Sequence, residues 1–156
     1  MSLSSRTRHL ARSESGAELI EFSLTLPLLL LIVLGIIEFG FMFREYEVVT
    51  NAAREGARIA ILTNTPYSDP DITARVNDYL TTAGLDTDLA TVDPGTATPT
   101  PVGGVCVSMR PVTVTYQHAV PFLSGIMTYF GSSIGTVTLS ATSSMRTEVK
   151  AAGTCS

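Results

Sequence analysis

The sequence predicts an α+β chain in which a long N-terminal transmembrane helix continues into a folded domain with a small antiparallel sheet. Three observations predict this architecture. Residues 22–43 are almost entirely apolar, residues 49–60 repeat small side chains at helical spacing, and the segments 105–116 and 136–148 alternate apolar and polar residues as strands do. These observations divide the chain into a basic leader, a transmembrane helix and an α+β domain at residues 1–16, 17–43 and 44–156.

The composition favours a membrane-associated chain over a nucleic-acid-binding one. Hydrophobic residues make up 45% of the 156 residues, and charged residues only 15%, against about 25% in average globular proteins. The formal net charge is −4, so no global basic field exists that would attract nucleic acid. Charge is also unevenly distributed, because residues 1–16 hold three arginines and one glutamate, whereas the remainder has a net charge of −6.

The apolar segment 22–43 has the length of a membrane span. Its 22 residues would form a helix of about 33 Å, which matches a hydrocarbon core of about 30 Å. The alternatives are a buried helix of a soluble protein and the h-region of a cleaved signal peptide. The run is apolar on all sides and too long for an h-region, which argues against both. Because the basic flank precedes the span, the positive-inside rule predicts a cytoplasmic N-terminus and an extracytoplasmic domain at 44–156.

Two residues inside the span are unusual. Pro27 removes one backbone donor and is expected to kink the helix or to loosen its hydrogen bonding. Glu38 is the one charged residue of the segment, about 8 Å inside the outer boundary, where a carboxylate is costly in lipid. Two interpretations of Glu38 stay open: the side chain snorkels or is protonated, or it contacts the helix of another subunit.

The residues ahead of the span carry a processing pattern. Ala17 follows Gly16, and counting from Ala17 places Glu21 fifth and Phe22 sixth. With this spacing the sequence resembles a type IV-like prepilin of the Flp/Tad kind. The resemblance implies that a prepilin peptidase cuts after Gly16, and that Glu21 neutralises the new ammonium of Ala17, on its own chain or on a neighbour's. Glu18 is the competing carboxylate, and the alternative is that both glutamates only solvate the membrane interface.

Further points of resemblance follow. The string NAAREGAR at 51–58 and the string EFG at 38–40 match patterns of TadE-like proteins, and the closing strand with Met145-Arg146 resembles their ending. The family implies a pilin-like fold and a minor pseudopilin that acts in the assembly of a Tad/Flp-type pilus or secretion apparatus, or in adhesion. The alternatives are a major structural pilin subunit and a membrane-anchored extracytoplasmic binding module.

The resemblance also implies partners and a location. The partners are other Tad pilins and pseudopilins, the prepilin peptidase, the inner-membrane assembly platform and membrane lipid. The location is the cell membrane, crossed once, with the pilus as an alternative.

Beyond the span, the helix is expected to continue to about residue 62, which gives a total length of about 69 Å. One face of this extension carries small or apolar residues: Val49, Ala52, Ala53, Gly56, Ala57 and Ala60. Glycine is unfavourable in a helix by about 1 kcal/mol relative to alanine, so Gly56 indicates that another element approaches the helix closely. The sequence therefore predicts that the sheet packs on residues 49–60.

The remaining segments give local signals. Asp69, Pro70 and Asp71 read as N-cap, N1 and N2 of a second helix, which ends at Gly84. Residues 93–104 are rich in Pro, Gly and Thr and predict a loop. Pro111 indicates a bulge or an edge position between two strand runs. Residues 121–131 are apolar, and both a short helix and a loop stay open for them.

No residue pattern predicts catalysis. The two histidines, His9 and His118, lie far apart, and His118 is interpreted as structural. No nucleotide-binding, metal-binding or nucleophile motif occurs, so no enzyme, metal or cofactor is predicted. Cys106 and Cys155 would lie outside the membrane, where both a disulfide and two unpaired thiols stay open.

Overall fold

The computed structural model describes residues 14–62, 68–102, 105–129, 131 and 135–146. In chain order the elements are α1 (Glu14–Ala60), α2 (Asp69–Thr82), a 3-10 turn (Thr87–Leu89), β1 (Ala90–Pro94), β2 (Thr98–Val102), β3 (Val105–Ala119), α3 (Pro121–Tyr129) and β4 (Thr136–Arg146). A long apolar N-terminal helix followed by a small antiparallel sheet confirms the predicted α+β class.

Helix α1 is a single element of 47 residues, about 70 Å long. It begins at Glu14, before the predicted cut site, and ends at Ala60, two residues before the predicted end. Pro27 lies inside α1, and the helix continues on both sides of it. The missing donor of Pro27 therefore does not end the helix.

The sheet is built around β3, which pairs antiparallel with every other described strand. β4 pairs with β3 from Met109 to Ala119. β1 and β2 pair with successive parts of β3, so the four strands form a sheet that is three strands wide. All pairings in the sheet are antiparallel, and β3 and β4 follow the predicted strand segments closely.

The prediction of a loop over residues 93–104 is wrong for most of that range. Asp93 and Pro94 end β1, and residues 98–102 form β2. Pro99 and Pro101 are two positions apart, so their missing donors face the same side of the strand. β2 pairs with β3 alone among the described strands, and proline is tolerated at such an edge. The prolines predicted a loop, whereas in the structure they lie in the edge strand β2.

A β-bulge separates β1 from β2, opposite Pro111. The prediction of a bulge or an edge position at Pro111 itself is wrong, because β3 continues through Pro111 without interruption and lies in the centre of the sheet. The register pairs Pro94 with Val112 but Thr98 with Met109, so three residues oppose two and one residue is extra. Gly95 lies against Pro111 here, because a Cβ atom added at Gly95 would be 3.0 Å from the Pro111 oxygen. A larger residue at position 95 would therefore push the bulge away from β3.

The core lies where the outer half of α1 meets α2 and the sheet. The small-residue face of α1 is buried as predicted, and Val49, Ala52, Ala53 and Ala57 are fully enclosed. At Gly56 the contact is closest, since an added Cβ would be 2.7 Å from Val76 Cγ2 of α2. The absent side chain of Gly56 lets α2 and β3 approach the α1 backbone together.

Helix α2 begins one residue earlier than predicted. Ser68, rather than Asp69, is the N-cap, and Asp71 occupies the third helical position. The backbone N–H and the hydroxyl of Ser68 both donate to the Asp71 carboxylate, at 2.9 and 2.6 Å. These hydrogen bonds lower the pKa of Asp71 below its ordinary value. The spacing between Ser68 and Asp71 is that of a capping box, a signal that the prediction from Asp69-Pro70-Asp71 did not use.

The end of α2 follows the prediction. Gly84 adopts a φ of +81°, the left-handed conformation that favours glycine after a helix. The Leu85 N–H donates to the Leu80 carbonyl and the Gly84 N–H to the Thr81 carbonyl, so two terminal carbonyls are satisfied. Leu80 and Leu85 are both buried, which completes a Schellman motif with its hydrophobic contact.

Two further expectations concern the C-terminal third. The open question over residues 121–131 is answered by α3, which is helical from Pro121 to Tyr129. β4 ends at Arg146, and positions 147 and 148 of the predicted strand lie outside the described residues.

Candidate functional site

The inner half of α1 has an apolar surface that no other described part of the chain covers. Its most apolar window of 18 residues has a mean hydropathy of 2.5, and 6% of that window is buried. Leu24, Leu28 and Ile36 are exposed by 75%, 63% and 68%. Within the described part of the chain, α1 is the one helix whose length and composition suit a membrane span, which indicates a single-pass membrane protein.

The residues of the predicted cut site lie at the start of this surface. Gly16, Ala17, Glu21 and Phe22 all belong to α1, whereas residues 1–13 of the leader lie outside the described part. Ala17 and Glu21 are four positions apart, so helical geometry places them on one face, one turn from each other. Glu18 and Glu21 line a shallow depression together with Phe22, and both carboxylates are exposed.

Glu38 is enclosed by its own chain. The residue is 5% exposed although it lies in the apolar part of α1, and His118 of β3 is equally buried beside it. The distance from His118 Nε2 to Glu38 Oε1 is 3.7 Å, which is longer than a hydrogen bond. On its other side, the His118 ring makes a hydrogen bond of 2.7 Å between Nδ1 and Oε2 of Glu45.

The His118 ring therefore lies between two carboxylates of α1. Among the described residues, neither Glu38 oxygen nor His118 Nε2 has a hydrogen-bond partner. A doubly protonated imidazole donates from both nitrogens, so a small shift in the Glu38 side chain would give the ring one carboxylate partner on each side. The cluster joins the sheet to α1 at the junction between the apolar half of the helix and the folded domain.

Comparison with known protein families finds a match to α1. Residues 16–58 match the family model described as TadE-like protein. We refer to these matched residues as the TadE-like segment. The resemblance predicted from the sequence is confirmed over these residues, which contain the cut-site pattern, Glu38 and the NAAREGAR string. The match supports a protein associated with Tad pili. Neither the curated proteins nor the solved structures that were compared contain a match to the chain.

The TadE-like segment coincides with α1 almost from end to end. It begins two residues after the start of α1 and ends two residues before Ala60. The domain that packs on its outer half, including the strand with Met145-Arg146, lies beyond the matched residues. The family match therefore covers the helix and not the domain that packs on it.

The partner of Glu38 was not predicted from the sequence. Both interpretations placed Glu38 in lipid or against another subunit, whereas the structure places it 3.7 Å from His118 of the same chain. A signal existed in β3, where Val112, Val114, Tyr116 and His118 alternate on the buried face. A histidine on the buried face of a strand requires a polar partner, and Glu38 is the one charged residue of the apolar segment. A contact of Glu38 with another subunit stays a prediction.

We expect His118→Leu to destabilise the domain by about 1–3 kcal/mol, because the change leaves the Glu45 carboxylate without its donor in a largely enclosed site. The measurement is thermal or urea unfolding of the full chain in detergent. Gln117→Leu is the matched control, since Gln117 is exposed on the same strand. Equal stability of the two variants would show that the cluster contributes nothing to the fold.

Glu55 of the TadE-like segment binds two arginines. Its carboxylate accepts hydrogen bonds from Arg58 on the next turn, at 2.9 and 3.0 Å, and from Arg75 of α2, at 2.9 and 3.2 Å. These contacts, with Arg58 first, lower the pKa of Glu55 from its ordinary value of 4.5 to about 2. Arg58 lies three positions along the same helix, whereas Arg75 joins through the packing of α2 on α1.

The lowered pKa of Glu55 predicts an acid-sensitive contribution to stability. The contribution is fully present above pH 4.5 and is lost as the pH falls through the folded-state pKa of about 2. We expect Glu55→Gln to lower stability at pH 7 by about 1 kcal/mol, because both arginines are half-exposed, and to differ little from the parent near pH 2. The measurement is the unfolding free energy at both pH values, with the exposed Glu47→Gln as control. A pH-independent difference would contradict this assignment.

The remaining site predictions are not reached by the structure. Cys106 lies in β3, but its side chain and all of Cys155 lie outside what the structure describes, so the disulfide stays a prediction. Among the described residues, no group of three or more His, Cys, Asp or Glu side chains could hold a metal ion.

Proposed function

We propose that the chain is a minor pseudopilin of a Tad/Flp-type pilus or secretion apparatus. One observation carries the proposal: the spacing of Gly16, Ala17, Glu21 and Phe22 stands at the head of the TadE-like segment, directly before the uncovered apolar half of α1. A cut after Gly16 removes the basic leader. The mature chain then begins at Ala17, one turn before the apolar run that starts at Phe22.

Membrane insertion supplies the first step of the proposed function. The N-terminus is cytoplasmic because three arginines precede the span, and the domain beyond residue 43 is extracytoplasmic. The peptidase reaches the bond after Gly16 at the cytoplasmic face. A small residue on the leader side of that bond lets the backbone enter the peptidase cleft.

Assembly is the second step. In lipid the apolar surface of α1 is solvated by acyl chains, and in an assembly it packs against the corresponding helices of other Tad pilins and pseudopilins. Glu21, with Glu18 as its competitor, neutralises the ammonium that cleavage creates at Ala17. The inner-membrane assembly platform is the expected site of this exchange from lipid to protein. The extracytoplasmic domain keeps its own core, so it stays folded in both locations.

The proposal is tested in a strain that assembles Tad pili and lacks its own copy of this protein. Parent chain, Gly16→Leu and Gly35→Leu are expressed at equal levels, and the pilus fraction and the membrane fraction are probed for the chain and for the pili. We expect the parent chain to be cut and to restore piliation. Gly16→Leu should stay uncut and fail, because leucine fills the small-residue position of the cleft. Gly35→Leu, the same change further along α1, should be cut normally.

The same experiment separates the alternatives. An uncut chain that supports piliation would indicate the membrane-anchored binding module instead. A cut chain that is as abundant in the filaments as the major pilin would indicate a structural subunit. A cut chain present in trace amounts, and required for piliation, is the outcome that the proposal predicts.

A further inference from the structure

Helix α3 lies beside the apolar part of α1 rather than beside its polar extension. Leu123 of α3 and Val120 just before it share a groove of about 350 Å³ with residues Gly35, Phe39 and Met42 of α1. These three positions belong to the predicted span of residues 17–43. The chain therefore returns to the level of the span after the sheet has begun, about 105 residues after Ala17.

The surface of α3 is apolar, and the described part of the chain covers it only in part. Its sequence, PFLSGIMTY, contains no charged residue, and none of its residues is buried. Phe122 is 44% exposed and Tyr129 is 87% exposed. Phe122, Ile126 and Tyr129 follow each other at intervals of four and three, so they lie on one face of the helix.

The polar side chains in the interior of α3 are satisfied without water. The Ser124 hydroxyl donates to the Pro121 carbonyl at 3.1 Å, and the Thr128 hydroxyl donates to the Ser124 carbonyl at 2.7 Å. Hydroxyl groups that bond to their own helix backbone are compatible with hydrocarbon, where a free polar group is expensive. Tyrosine at the end of such a helix suits the boundary between lipid and water.

The surface of α3 continues the apolar surface of α1. At the same level of α1, Ile36, Phe39 and Phe41 are exposed by 68%, 62% and 53%. Helix α3 contacts α1, and Leu123 and Phe39 line the same groove, so the medium around Phe39 also borders α3. If α1 spans the membrane, the medium at this level is the outer leaflet.

We infer that α3 is a second membrane-contacting element, which lies in the outer leaflet at the headgroup boundary with Phe122, Ile126 and Tyr129 toward lipid. The inference rests on the proposed insertion of α1. In addition to the insertion of α1, it states that the domain contacts the bilayer surface through α3. Without this contact, α1 alone would connect the domain to the membrane. Interfacial helices of this kind bury their apolar face by about 5–10 Å.

Seating the domain in the leaflet accounts for the burial of Glu38. This residue lines the same groove as Leu123 and Val120, and it is 5% exposed. A carboxylate at this depth would face hydrocarbon if the domain stood above the membrane. With α3 and the ends of the strands drawn down against α1, Glu38 faces His118 and the protein interior instead.

The experiment uses the absence of tryptophan from the sequence, because each substitution then introduces a single reporter. Full-length Phe122→Trp, Tyr129→Trp, Leu28→Trp and Leu62→Trp variants are reconstituted into phosphatidylcholine vesicles. The lipids are brominated either near the headgroup end or near the methyl end of the acyl chain, and bromine quenches tryptophan on contact. Leu28→Trp reports on the middle of the span, whereas Leu62 is exposed just beyond the end of α1. The end of α1 at Ala60 is about 27 Å from Met42 along the helix axis.

We expect both α3 variants to lose severalfold more emission in lipid brominated near the headgroup than in lipid brominated near the methyl end. Leu28→Trp should show the opposite order, and Leu62→Trp should not be quenched by either lipid. Quenching of Leu28→Trp without quenching of either α3 variant would overturn the inference and leave the span intact. This result would contradict the inference both if water surrounds the tryptophans of α3 and if another protein chain covers them. An unquenched Leu28→Trp would overturn the insertion of α1 and the inference together.

Discussion

Replacing Glu21 with Gln is expected to leave membrane insertion and cleavage intact and to remove most of the protein from assembled pseudopilin complexes. Insertion should survive because the change removes a charge from the apolar helix. Cleavage should survive because Gly16 and Ala17 are unchanged. Assembly should fail because the new ammonium of Ala17 loses its partner, and a buried charge whose partner is removed costs about 3–5 kcal/mol. A loss of about 3 kcal/mol corresponds to roughly a hundredfold weaker incorporation.

Glu18→Gln is the matched control for Glu21→Gln. Both glutamates are exposed on α1, they line the same depression, and the substitutions are identical in chemistry. The two differ in their distance from Ala17 along the helix, since four positions place Glu21 on the face of Ala17, whereas one position turns Glu18 away from it.

The measurement is co-purification with partner pseudopilins at equal levels of cleaved protein. Normal co-purification of the Glu21 variant would refute the pairing and leave Glu21 as an interfacial solvating group. Loss of co-purification with the Glu18 variant alone would transfer the role to Glu18.

Gly56→Leu is expected to destabilise the domain by about 1–3 kcal/mol, net of any gain in helix propensity. The site has no room for a side chain, since a Cβ atom alone would approach Val76 Cγ2 to 2.7 Å and Val112 Cγ1 to 3.0 Å. Both neighbours are β-branched and fully buried, so neither rotates away freely. Leucine would therefore separate α2 and β3 from α1.

The control for Gly56→Leu is Gly40→Leu in the same helix, where an added Cβ meets nothing within 4 Å. Its gain in helix propensity, about 1 kcal/mol, should leave stability unchanged or slightly higher. The measurement is the unfolding midpoint of the domain, taken on the full chain in detergent. A midpoint for Gly56→Leu equal to that of the parent would show that the seam between α1, α2 and β3 is looser than the structure indicates.

The sequence predicted those parts of the fold that depend on local periodicity. The small residues of α1 recur at helical spacing, so the sequence indicates the buried face with Ala53 and Gly56 even when the element that packs on it is not known. β3 and β4 alternate strictly enough to indicate both strands and their inner faces. Each of these features depends on one segment and on the geometry of one element, which is why local pattern was sufficient.

Two local predictions failed because a second signal competed with the first. Pro99 and Pro101 indicated a loop, but proline is excluded only from positions that must donate to a neighbouring strand, and β2 has a neighbour on one side among the described strands. At the start of α2, the run Asp69-Pro70-Asp71 led to the prediction of an N-cap at Asp69. The N-cap is Ser68, whose backbone N–H and hydroxyl donate to the Asp71 carboxylate. In the first case, prolines that lie on an edge strand were interpreted as loop residues. In the second case, the N-cap was assigned to Asp69, one residue after its actual position.

The contacts around Glu38 could not be derived from local pattern. Glu45 and His118 are 73 residues apart, and their hydrogen bond exists only because β3 crosses α1 with one particular register. Alternation shows that His118 faces inward, but it does not show which part of α1 lies opposite. The return of α3 to the level of Gly35 depends on the same crossing. Non-local contacts of this kind require the topology of the sheet, which residue periodicity does not contain.

Processing after Gly16 is the step on which the pseudopilin assignment depends, and the intact mass of the protein tests it most directly. The chain is extracted from membranes of cells with and without the prepilin peptidase, and its mass is measured by mass spectrometry. With the peptidase, we predict the mass of residues 17–156, and without it the mass of the whole chain of 156 residues. A whole-chain mass in both kinds of cell would contradict processing, the pairing of Ala17 with Glu21 and the assignment as a pseudopilin.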